Sequence, residues 1–134
     1  MLSHVTLGTG DLARAVAFYG PLMERLGHRL RRHDPDTGWA IWQQPGIARP
    51  LFVVMRPFDG APAAPGNGQM TALLAQDRTT VDDCHRLALA AGGQDAGAPG
   101  LRPQYHPDFY GAYVRDPDGN KLCICCHAAP AKDA

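Results

Sequence analysis

The 134-residue chain predicts an α+β fold of two tandem βαβββ modules, and three observations carry that expectation. Residues 4–27 lie over residues 70–93 without a gap, which carries Asp11 onto Asp77 and Gly27 onto Gly93. Each copy holds an amphipathic stretch with apolar residues at three-and-four spacing, the signature of a helix with one buried face. Each is followed by short apolar or alternating runs separated by turn chemistry, which read as strands.

Taken in order, HVTL (4–7) is the first strand and Asp11 the first helix-start signal, because a short side-chain oxygen there can accept from an early backbone N–H. Leu12, Ala15, Val16, Tyr19, Leu22, Met23 and Leu26 form the helix's buried face. Pro21 removes a backbone donor and predicts a kink or pause at Gly20-Pro21. HRLRRH, WAIWQQ and PLFVVM follow as strands, the first two separated by the turn DPDTG. The Pro/Gly/Ala-rich segment 59–68, DGAPAAPGNG, is the expected linker between module 1 (about 1–58) and module 2 (about 69–127). In module 2, MTALLA is a strand, and Thr79 and Thr80 followed by Asp82 and Asp83 signal a helix start. Val81, Cys84, Leu87, Ala88 and Ala91 form that helix's buried face. Residues 97–108 read as an irregular loop, FYGAYVRD and NKLCICCH as strands, and 128–134 as a flexible tail.

Composition bounds the function. With 45% hydrophobic residues the chain can bury one compact core. Lys+Arg and Asp+Glu both number 13, so the chain lacks the basic field that nucleic acid or an anionic membrane surface selects, and near-neutrality favours self-association. MLSHVTLGTG lacks the basic and apolar regions of an export signal, and no apolar run approaches a membrane span, so the expected location is cytoplasmic. Four cysteines there stay reduced, each a packing, reactive or ligating group.

HVTLGTGDLARAVAFY at the start, PGNG at the module junction, ALAAGGQDAGAPGLRPQYHPDFYGAYVRDPDGN and the terminal CH, in this order and spacing, resemble the vicinal oxygen chelate superfamily of glyoxalase I, extradiol dioxygenases and bleomycin-resistance proteins. The resemblance spans 3–127. It implies two modules whose sheets curl around an open cavity, usually within a homodimer. It also implies a small oxygen-bearing ligand and, in the family's enzymes, one divalent metal held from the first and last strands of each module. By position those sites fall on His4, Leu51, Met70 and Cys123. Where the family usually carries His or Gln and Glu, this chain has Met70 and Cys123, and only His4 is intact. A thiol-containing set suits zinc better than a hard octahedral ion. Two functions therefore stand side by side. One is metal-assisted lyase, isomerase or dioxygenase chemistry of the glyoxalase type; the other is metal-free binding or sequestration of the bleomycin-resistance type.

Strand alternation places Cys123, Cys125 and His127 on one face of NKLCICCH, and Leu122, Ile124 and Cys126 on the other. Same-face neighbours stand roughly 6.5–7 Å apart, too far for a disulfide in a regular strand. Cys125 and Cys126 read as small buried hydrophobes. Cys123 has three readings: a packing substitution, a ligand in a softer site with His4 and Met70, or a nucleophilic or redox thiol. The Pro-bounded segment RPQYHPDFYGAY carries Arg102 and Tyr105 as substrate contacts and His106 and Tyr110 as acid or base. Trp39 and Trp42 fall on opposite strand faces, and Trp39 is the expected pocket-lining member.

Overall fold

A computed structural model describes residues 1–130, and two four-stranded sheets with one helix each build it. The first module runs β1 (His4–Gly8), α1 (Leu12–Arg25), β2 (Arg29–Asp34), β3 (Trp39–Gln43) and β4 (Leu51–Met55). The second runs β5 (Thr71–Leu74), α2 (Arg78–Ala90), β6 (Gln94–Leu101), β7 (Tyr110–Arg115) and β8 (Lys121–Cys126). Both sheets share one topology: first strand parallel to the last, then two antiparallel neighbours, giving the orders β1-β4-β3-β2 and β5-β8-β7-β6. The internal repeat is thus a repeat of architecture.

α1 packs on the first sheet, α2 on the second, and the helices pack on each other. A single apolar core joins Phe18, Tyr19, Leu22 and Met23 of α1 to Trp42, Phe52 and Val54 on one sheet and Val114, Leu122 and Ile124 on the other. Because each sheet turns its helix-facing side into this core, the opposite faces look outward. Those faces carry alternate residues: His4, Thr6, Leu51 and Val53 on the first sheet, Tyr113, Arg115, Cys123 and Cys125 on the second.

Asp11 and Asp77 cap the two helices, accepting from Arg14 N–H and Thr80 N–H at 3.0 and 2.8 Å. α2 therefore starts before the Thr79-Thr80 signal, at the position the repeat assigns. Asp77 is the better acceptor because it takes both the amide and the hydroxyl of Thr80. α1 is continuous through Pro21. Residues 97–101, expected as loop, belong to β6, which tolerates GAPG through register shifts and because an edge strand can hold Pro99 without breaking a ladder. Of the expected flexible tail, residues 131–134 lie outside the described residues.

The DPDGN turn, expected only as a strand connector, fastens the modules together. Asp116 is buried and accepts the Tyr19 hydroxyl at 2.5 Å, the Asn120 side chain at 2.9 Å and two backbone amides of its own turn. Asp118 accepts from Thr9, Gly10 N–H and Arg14, while Asn120 donates to the Gly8 carbonyl. Burial and the Asp116 charge hold the Tyr19 hydroxyl well above the usual phenol range.

Candidate functional site

The outward face of the second sheet forms a cavity of about 940 Å³, walled by the 65–70 segment, the start of β6 and the 102–109 loop. Tyr113 sits at its floor, with Tyr105 and Phe109 from the loop beside it. Their rings come from two different elements: β7 fixes Tyr113 by alternation with the core residues Ala112 and Val114, whereas Tyr105 and Phe109 pack at 5.0 Å within the loop. Burial first, then Cys123 and Tyr105 nearby, push the Tyr113 hydroxyl up to about 12, so it remains a hydrogen-bond donor at neutral pH. Gln69 and Gln104 add neutral polar groups and Arg102, Arg115 and Lys121 add charge.

The expected site residues separate across the fold. Arg102, Tyr105 and Met70 line this cavity. Trp39 lies on the first sheet instead, stacked under Arg32 at 4.9 Å, beside a different cleft shared with Met55 and Phe58. His106 and Tyr110 diverge. His106 stacks on His127 and lies 2.8 Å from it, while Tyr110 faces the helix side and donates to Asp82 of α2 at 2.6 Å. That bond, with burial second, raises the Tyr110 hydroxyl and keeps it protonated. Two-residue periodicity in FYGAYVR explains the exchange: the small apolar Ala112 and Val114 mark the core face, which sends Tyr110 inward and Tyr113 and Arg115 outward. Tyr113 was therefore findable from alternation.

At the positions where the resemblance implies a metal, His4 is exposed with its ring 2.9 Å from the Ser3 hydroxyl, and its cross-strand neighbour is Leu51. Met70 is 47% exposed. Cys123 is buried opposite Tyr113, and the adjacent Cys125 thiol together with burial pushes its own thiol well up. Cys125 moves the other way, lowered by Cys123 and by His127, whose Nε2 stands 3.7 Å from its sulfur. All four cysteines are free. The donor set is thus an imidazole, a hydrocarbon, a thioether and a buried thiol. Among the described residues no three His, Cys, Asp or Glu side chains stand close enough to hold an ion. Without an anionic oxygen ligand these residues do not fit a hard divalent cation.

Two four-stranded sheets of one topology, each from a βαβββ repeat and each packed on its own helix, define the fold class. The family model for the Glyoxalase/Bleomycin resistance protein/Dioxygenase superfamily matches residues 1–124, and the chain belongs to that superfamily. A solved glyoxalase/bleomycin resistance protein from Albidiferax ferrireducens T118 is 33% identical with a TM-score of 0.84, over 94% of this chain and 98% of that one. A glyoxalase-related enzyme from Fulvimarina pelagi shares the fold at 23% identity and TM-score 0.72, covering 100% and 99% of the two chains. A superfamily enzyme from Burkholderia phytofirmans PsJN does so at 19% and 0.72, covering 94% and 98%. No curated protein matches significantly. Among the described residues no helix is long and apolar enough to cross a membrane.

Proposed function

We propose that the chain binds a small oxygen-bearing molecule on the outward face of its second sheet, by shape, ring stacking and hydrogen bonding and without a metal ion. The cavity of about 940 Å³ over Tyr113 carries this reading, because it combines three aromatic rings with neutral amide and hydroxyl groups that can orient a ligand's oxygens. A Tyr113 hydroxyl that stays protonated donates to a ligand oxygen, and the side chains of Gln69 and Gln104 can donate or accept. The donor set at His4, Leu51, Met70 and Cys123 supports the metal-free alternative over glyoxalase- or dioxygenase-type chemistry.

The working unit in this proposal is a homodimer. Among the described residues β1 and β5 are sheet edges, so each leaves a row of backbone donors and acceptors without a strand partner there, and Leu74 on β5 is 67% exposed. A second copy pairing along such an edge would cover it.

Elemental analysis of protein purified without chelator, run beside His4→Ala and Cys123→Ser, tests the reading. Metal-free wild-type protein with no thermal stabilisation by Mn²⁺, Ni²⁺, Fe²⁺ or Zn²⁺ is expected. Near-stoichiometric zinc in the wild type, absent from both variants, would overturn it in favour of a thiol-containing metal site.

A further inference from the structure

We infer that the ligand of the Tyr113 cavity is a planar organic acid whose carboxylate is anchored by Arg102; this rests on the cavity reading above. Three cations, Arg102, Arg115 and Lys121, line the cavity, and no Asp or Glu does. Elsewhere Arg14, Arg25, Arg32, Arg78 and Arg86 each meet a carboxylate. Among the described residues the three cavity cations have none, in a chain whose formal charges cancel. Arg29, Arg31, Arg49 and Arg56 also lack one, but only the three cavity cations share a cleft with the Tyr105, Phe109 and Tyr113 rings, so positive charge and ring surface meet there.

Arg102 is half-buried and tied to the backbone of β6. Its Nη2 donates to the Ala98 carbonyl at 2.7 Å and its Nη1 lies 3.4 Å from the Leu101 carbonyl. The guanidinium stands 5.5 Å from the Tyr113 ring centroid, as does the Lys121 ammonium. Two glycines of β6 leave the wall low: a Cβ at Gly100 would come within 3.1 Å of Nη1, and one at Gly97 would crowd the Tyr113 ring at 2.9 Å while only touching Nη2, at 3.5 Å. A guanidinium has five N–H donors, and the backbone carbonyls use only part of that fork. Held against a strand at two points, it loses little freedom when a carboxylate docks on the remainder, which is the geometry for bidentate recognition. The neighbouring Tyr105, Phe109 and Tyr113 rings supply apolar surface for a flat carbon skeleton.

The test is an NMR titration of the ¹⁵N-labelled full chain with benzoate, 4-hydroxybenzoate and salicylate, each paired with its neutral amide. The acids are expected to shift the Gly97 and Gly100 amides and the Arg102 side-chain N–H, binding roughly tenfold or more tightly than the amides. Arg102→Gln should erase that preference. Gly100→Ala, which keeps the charge but puts a Cβ within 3.1 Å of Nη1 and so nudges the guanidinium from its place, should weaken the acids as well. Amides that bind the same residues as tightly as the acids would overturn the anion assignment and leave the cavity reading standing. Cavity signals that respond to neither acid nor amide would overturn both.

Discussion

Replacing Tyr19 with Phe deletes one oxygen from the junction between the modules and leaves the ring, with its contacts to Phe18, Trp42 and Phe52, in place. The lost bond is a 2.5 Å contact to a carboxylate that is 4% exposed, from a hydroxyl on a side chain that is fully buried. Hydrogen bonds to charged groups are worth about 1.5–3 kcal/mol when one partner is removed and the other stays buried. Asp116 keeps the Asn120 side chain and two turn amides. We therefore expect a loss of about 2 kcal/mol, in the lower half of that range. At roughly 4 °C per kcal/mol for a domain of this size, the melting temperature should fall by about 8 °C. Urea titration followed by circular dichroism measures the loss, with an unchanged m-value showing that wild type and variant expose the same amount of surface on unfolding. A loss below about 0.5 kcal/mol would show that Asp116 is satisfied by its own turn and that the DPDGN segment does not fasten the modules through Tyr19.

Other outcomes follow from the same structure. The Tyr19 hydroxyl titrates well above its unfolded value, so its contribution is complete below about pH 10 and is lost as pH rises further, while the unfolded phenol ionises and the native one does not. The stability difference between wild type and Tyr19→Phe should accordingly narrow above about pH 10 in alkaline urea titrations; a constant gap would contradict the assignment. Asp77→Ala removes the acceptor of the Thr80 amide and hydroxyl at the start of α2 and should cost about 1 kcal/mol by chemical denaturation. Gly93→Ala should destabilise by about 1–3 kcal/mol, because a Cβ there would lie 2.7 Å from the Phe18 ring of α1 and 2.8 Å from the Ala88 carbonyl. A variant as stable as the wild type would mean that the α1–α2 junction relaxes freely.

How much the sequence determined differs between the fold and the site. Local rules settled the elements: Asp11 caps a helix because its carboxylate reaches a nearby amide, and Leu12, Ala15, Tyr19, Leu22 and Met23 share a buried face because 3.6 residues make a turn. The offset that superposes the two halves placed Asp77 correctly even where the local Thr79-Thr80 signal pointed further on. Strand alternation separated Cys123 and Cys125 from the core-facing Leu122, Ile124 and Cys126. The tertiary structure alone decided what met across the chain. That Asp116 receives a hydroxyl from Tyr19, 97 positions away, follows from how the two modules dock and not from any local pattern. The same holds for Arg102, which reaches back to the Ala98 carbonyl past Gly100 on a strand whose register shifts disguised it as loop. Local geometry repeats with short periods that a sequence displays, whereas long-range contact depends on how whole surfaces pack, and that information is spread over every element that takes part.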